Sequence, residues 1–102
     1  MHMYKISVII PVYNAKKTLP DTLKSTAAQS LSDIEIICVD DGSTDQSFKI
    51  IKNWQTVHSN IRCVRQQNGG TGSVRNRGMD MAAGEYITFM DAAYSYPNEH
   101  AL

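Results

Sequence analysis

Asp33-Ile34-Glu35-Ile36-Ile37-Cys38-Val39-Asp40, followed at once by Asp41-Gly42-Ser43-Thr44-Asp45, decides the fold. The first eight residues form a strand-like run rich in β-branched side chains. The acidic, glycine-containing turn that ends it is where a helix begins, because Ser43 and Gln46 have the spacing of a capping box. Beyond the turn, Phe48, Ile51 and Trp54 share one helical side, with Ile50 and Val57 alongside.

The same alternation extends in both directions. Upstream, Lys5-Ile6-Ser7-Val8-Ile9-Ile10-Pro11-Val12 is a strand, mostly apolar on both faces as a central parallel strand is. Thr18 is a helix cap, Pro20 and Asp21 suit a first turn, and Leu19, Leu23 and Ala27 recur at helical spacing. Downstream, Ile61 to Arg65 is a short third strand, and Asn68-Gly69-Gly70-Thr71-Gly72 is a loop. A third helix follows, with Val74, Gly78, Met81 and Ala82 inward and Gly84 at its C-terminal stop. Glu85 to Met90 is a fourth strand that delivers Asp91, and Pro97 opens a candidate further helix. Strands separated by helices predict an α/β fold with a parallel sheet. In such sheets, ligands bind where the C-terminal strand ends gather. Pro11-Val12-Tyr13-Asn14, Asp40-Asp41 and Asp91 all fall on that edge.

Length and composition narrow the function. A chain of 102 residues is expected to be one small domain. Size scaling gives ~5,800 Å² of folded surface against ~16,500 Å² unfolded, enough for a modest core. Ten basic and ten acidic residues cancel, so no global attraction to nucleic acid or an anionic membrane is expected. The longest apolar run, Val8 to Tyr13, has six residues, against about 20 for a membrane span. Met1-His2-Met3-Tyr4-Lys5 leads straight into a strand rather than a leader's apolar segment. Cys38 and Cys63 lack metal-type spacing and are expected to be buried thiols in a reducing, cytoplasmic setting.

Asp40 and Asp41 are adjacent, so in a strand they point to opposite faces. One can accept hydrogen bonds from a ligand while the other holds the N–H groups of the Gly42-Ser43-Thr44 turn, or both simply cap and turn. Arg75 is placed in the first turn of the third helix, just after the glycines. A helix N-terminus with an arginine beside it suits a phosphate; the alternative is a solvated ion pair. Tyr13 can stack on a flat ring or pack inward. His2, His58 and His100 are isolated.

Taken in order, Ile9-Ile10-Pro11-Val12-Tyr13-Asn14, Val39-Asp40-Asp41-Gly42-Ser43-Thr44-Asp45, Asn68-Gly69-Gly70, Val74-Arg75-Asn76-Arg77-Gly78, Ala83-Gly84-Glu85-Tyr86-Ile87 and Phe89-Met90-Asp91 resemble family 2 glycosyltransferases. The resemblance implies the nucleotide-sugar-binding half of a three-layer, Rossmann-like GT-A fold. It implies a sheet of about four strands in the order 3-2-1-4, with helices on both faces. It implies a nucleoside-diphosphate sugar donor, commonly a UDP-sugar, and inverting transfer to an acceptor hydroxyl. Pro11, Val12, Tyr13 and Asn14 would then line the base and ribose. Asp41 or Asp40 would hydrogen-bond the base, and Gly69, Gly70 and Arg75 would approach the nucleotide. Asp91 would open a D-x-D motif that meets the ribose and a diphosphate-bound Mg²⁺ or Mn²⁺.

Two departures stand out. Asp91-Ala92-Ala93-Tyr94 has Ala93 where the family pattern places the main metal-binding carboxylate. The family's domain is also considerably longer, and its later part supplies the acceptor site and the general base that inverting transfer needs. The chain is therefore expected to be a truncated domain, inactive alone, cytoplasmic or peripheral to a membrane in a longer form. A degenerate nucleotide-binding module without metal is the first alternative. A receiver-like signalling domain is the second, although its acidic pair belongs after the first strand. With the fourth strand at a sheet edge, apolar and uncharged, the chain is expected to form a homodimer there.

Overall fold

The computed structural model describes residues 4–28 and 33–90. Their elements run β1 (Ile6–Val12), α1 (Leu19–Ala27), β2 (Ile34–Asp40), α2 (Ser47–Gln55), β3 (Ile61–Arg65), α3 (Gly70–Met81) and β4 (Tyr86–Phe89). The four strands are all parallel and ordered β3-β2-β1-β4. Val12 pairs with Asp40, and Asp40 with Arg65, so these strand ends arrive at one edge. Asp91, Ala93, Pro97, His2 and His100 lie outside the described residues.

The two central strands are buried on both faces, which explains their nearly continuous apolar sequence. On one face Val8, Ile10, Val12, Ile36 and Cys38 pack with Leu19 and Leu23 of α1 and Ile51 of α2. On the other, Ile9, Ile37 and Val39 pack with Val74 of α3. The result is three layers, with helices on both faces of the sheet. Gly78 lets α3 lie flat on β1, because a Cβ there would sit 2.5 Å from Ile9 Cγ2.

Several local expectations are corrected. Thr18 holds the N-cap position of α1, but its side chain makes no capping hydrogen bond. The capping box of Ser43 and Gln46 does not form, and α2 begins only at Ser47. Gln46 holds the N-cap position with no side-chain cap bond, and Asp45 before it accepts from the Ser47 N–H at 2.9 Å. Val57 lies beyond the end of α2 and is 76% exposed. Gly84 does not end α3, which closes at Ala82 in extended backbone. Its glycine is needed for close approach, since a Cβ would lie 2.7 Å from the backbone nitrogen of Ser7. Cys38 is buried, but Cys63 is only half-buried; both are free thiols. No helix among the described residues is long and apolar enough to cross a membrane.

Glu35 shows no sign of its importance in the strand pattern. It lies fully buried in β2, where an unpaired carboxylate would be costly. It accepts hydrogen bonds from the Ser7 hydroxyl at 2.6 Å, the Ala83 N–H at 2.6 Å and Arg62 Nη1 at 3.1 Å. Ser7 Oγ in turn accepts from the Gly84 N–H at 2.8 Å, and Arg62 also donates to the Met81 carbonyl at 2.7 Å. One carboxylate thus ties β1, β2 and β3 to the turn between α3 and β4. Burial pushes this carboxyl up, but the bonds from Ser7, Ala83 and Arg62 together bring it below its ordinary value of 4.5. Its stabilising effect is therefore complete above that ordinary value and is lost as the pH falls through the lower folded value. Glu35→Gln keeps the shape and removes the charge, so it should cost about 1–3 kcal/mol near neutral pH. That cost should shrink in acid, and urea unfolding of both proteins at neutral and acid pH measures it. A cost independent of pH would show that the charge itself contributes nothing.

Candidate functional site

The C-terminal edge of the sheet is built from three loops: residues 13–18 after β1, 41–46 after β2 and 66–69 after β3. Each leaves backbone N–H groups that need acceptors, and side chains of the neighbouring loops supply them. Asn14 is in left-handed backbone, at φ 48°, which asparagine tolerates better than most residues. Its Oδ1 accepts from the Thr44 N–H at 2.7 Å and the Asp45 N–H at 3.3 Å. The Asn14 N–H donates to Ser43 Oγ and the Ala15 N–H to Ser47 Oγ, both at 2.9 Å. The Lys16 N–H donates to Asp45 Oδ2 at 3.2 Å. The first two loops are therefore stitched into one unit, and Asn14 is its brace.

The acidic pair divides its work, and the faces decide how. Asp40, on the α2 side, accepts from the Ser43 N–H at 3.3 Å and pairs with Arg65 Nε at 3.3 Å. It is the residue that holds the turn. Arg65 also donates to the Ser43 carbonyl at 2.7 Å. Burial pushes the Asp40 carboxyl above its ordinary value, and the Ser43 and Arg65 contacts only partly offset this. Its Oδ1 is buried with no hydrogen-bond partner among the described residues.

Asp41 faces the opposite way, toward the third loop. Its Oδ1 accepts from the Gly69 N–H at 2.8 Å and Gln66 Nε2 at 3.0 Å, and its Oδ2 accepts from the Gly70 N–H at 3.0 Å. A carboxylate is favourable here, because the N-terminus of α3 presents unpaired N–H groups and a partial positive charge. Asn68 Nδ2 donates to the Asp41 carbonyl at 3.1 Å. Gly42, at φ 80°, passes so close that a Cβ would lie 3.0 Å from the Asn68 nitrogen.

The expected site residues thus fall into distinct positions. Pro11 and Val12 are buried beneath the edge, while Tyr13 and Asn14 are half-buried at it. Asp40, Asp41, Gly69 and Gly70 are joined to the same edge by the bonds above. The expected loop through Gly72 is shorter, since α3 starts at Gly70. Arg75 is consequently in the second turn of α3, not the first, with its guanidinium 5.2 Å over the Phe89 ring of β4. That contact brings α3 and the end of β4 together. Arg65 and Gln66 were not expected at the edge. The facing of Asp40 and Arg65 across parallel strands is the signal that could have found Arg65; nothing in the sequence marks Gln66. Among the described residues, no three His, Cys, Asp or Glu side chains form a metal-binding group.

The family model described as Glycosyl transferase family 2 matches residues 7–101. The uncharacterised glycosyltransferase YibD of Escherichia coli strain K12 is 41% identical over 88 residues, covering 86% of this chain and 26% of that protein. The crystal structure of S. aureus TarS 1–349 in complex with UDP-GlcNAc superposes with a TM-score of 0.81 at 35% identity, covering 87% of this chain and 26% of that one. The mannosyltransferase PcManGT from Pyrobaculum calidifontis, in complex with GDP-Man and Mn²⁺, shares the fold with a TM-score of 0.82 at 23% identity, covering 96% and 30%. The chain spans about a quarter of the length of the relatives it matches. The parallel β3-β2-β1-β4 sheet is the Rossmann-like half-domain of the GT-A type. With its acidic sheet edge and a match across almost all its length, the chain belongs to glycosyl transferase family 2.

Proposed function

We propose that this chain binds the nucleoside diphosphate of a sugar donor at the C-terminal sheet edge, as the donor-binding part of an inverting glycosyltransferase. The observation that carries this is the edge itself. Tyr13 stands half-buried beside an acidic turn, and α3 brings Arg75 onto the ring that ends β4. An aromatic ring can stack on a base, and a guanidinium can hold a diphosphate by paired, charge-assisted bonds. Support for a UDP-sugar comes from TarS, which was crystallised with UDP-GlcNAc and with UDP. The general base that inverting transfer needs is read as lying in the rest of the longer protein.

PcManGT was crystallised with Mn²⁺, and a divalent ion would stabilise the departing diphosphate. Asp91, the carboxylate that would meet such an ion, lies outside the described residues. In the sequence, Ala93 stands two positions after Asp91, where a second carboxylate would be needed. We therefore read the site as a nucleotide site that depends little on metal. Calorimetric titration with UDP, with and without Mn²⁺, tests both points. Binding should be weak and nearly independent of Mn²⁺, and Arg75→Ala should weaken it about tenfold through loss of a charge-assisted contact. Absence of binding at millimolar UDP would falsify the nucleotide assignment; a large Mn²⁺ effect would overturn only the metal reading.

The homodimer belongs to the same proposal. β4 is an edge strand, and Tyr86 and Ile87 are 62% and 41% exposed. An apolar edge of this kind invites strand addition from a second chain. Light scattering coupled to size exclusion should give a dimer of the 102-residue chain, and Thr88→Lys should shift it toward monomer. A monomer at high concentration would remove the idea.

A further inference from the structure

We propose that Asp41 is a latch: Gln66 and the Gly69 and Gly70 N–H groups hold its carboxylate closed, and nucleotide binding must break these bonds. This rests on the nucleotide site proposed above and adds how access to it is controlled.

The argument starts from access. Asp41 is 0% exposed, while a hydrogen bond needs a donor within about 3.2 Å of the acceptor oxygen. A ring N–H of a nucleobase cannot come so near a carboxylate with no surface. Three donors on the carboxylate belong to the short span Gln66–Gly70. The carboxylate also occupies the position at the α3 N-terminus where an incoming phosphate would sit. Asp41 is thus an internal anion on an anion site. A base that reaches Asp41, or a phosphate that takes the Gly69 and Gly70 N–H groups, must undo the same bonds.

Gln66 gives the latch its testable asymmetry. Its Nε2 donates both to Asp41 Oδ1 at 3.0 Å and to Ser73 Oγ at 3.2 Å, bridging the acidic turn to the first turn of α3. That bridge exists in the closed state. Removing a bond made only in the closed state shifts the population toward the open one, and the ligand then binds more tightly. A residue that merely supports a preformed site would act in the opposite direction. Gln66 is therefore a positioning residue.

Gln66→Met keeps the length of the side chain and removes the donor. Titrated with UDP, this variant should bind about tenfold more tightly than the wild type. The second readout is amide hydrogen exchange at Gly69 and Gly70, followed by NMR. Exchange should be faster in Gln66→Met than in the wild type, both without nucleotide. Gln66→Ala should repeat both effects if Met packs poorly. A wild type that binds UDP, with variants that bind equally or more weakly and exchange Gly69 and Gly70 no faster without nucleotide, overturns the latch alone. A wild type that binds no UDP overturns the nucleotide site and the latch with it.

Discussion

The structure depends on one strand holding one helix at both ends. The α3-facing side of β2 and the residue that follows it reads Glu35, Ile37, Val39, Asp41: a carboxylate at each end and apolar side chains between. The six steps from Glu35 to Asp41 span about 20 Å of strand. The 12 residues of α3 rise about 18 Å. The two lengths match, so each carboxylate meets one end of the helix. Asp41 takes the N–H groups at its start. Glu35 takes the Ala83 N–H just past its end and holds Arg62, which caps the Met81 carbonyl. Ile37 and Val39 pack in the middle, with Val74 above them.

Such an arrangement explains why buried charges are tolerated in so small a core. Each carboxylate receives at least two donors, and charge-assisted bonds are stronger than neutral ones. Leaving one donor out would cost about 1–3 kcal/mol, a large share of the marginal stability of a small domain. The pattern repeats across the edge: Asp40 accepts from the Ser43 N–H and Asp45 from the Ser47 N–H. The candidate site is assembled largely from carboxylates set on backbone N–H groups.

What the sequence made legible follows from range. Element order, the parallel sheet and the central position of β1 and β2 are recoverable because hydrophobic periodicity is a local signal. The starts of α2 and α3 are not, because their caps come from the fold. Ser43 looks like a cap for α2, but its hydroxyl is engaged by the Asn14 N–H from another loop. Gly69 to Gly72 looks like a loop, but Asp41, 28 residues earlier, caps a helix there. Glu35 looks like any polar residue in a strand. Gly84 is marked by its type, yet the reason is the backbone nitrogen of Ser7. At the site, the acidic pair and the glycines were visible, whereas Gln66 and Arg65, which hold the pair in place, were not.

The two ends of α3 are not held alike, and this has a mechanical consequence. At its C-terminal end the network is branched. Glu35, Ser7, Arg62 and the N–H groups of Ala83 and Gly84 support one another, so losing one contact leaves the others in place. Gly78 fixes the helix against Ile9 in the same half. At the N-terminal end, the Gly69 and Gly70 N–H groups and Gln66 all donate to the single carboxylate of Asp41, and Gln66 also bonds Ser73. Gly70, at φ 88°, starts the helix in backbone that only glycine adopts freely. The latch proposed for Asp41 would therefore loosen α3 at its N-terminus, with the far end as the pivot. Arg75 lies on the moving side of Gly78, and the ring it covers, Phe89, belongs to the strand next to β1. Such a movement of the Gly69–Gly70 end would be carried to the guanidinium over Phe89 at the end of β4. The acidic turn and the basic side chain of the candidate site are linked through one helix, anchored at the end away from the sheet's C-terminal edge.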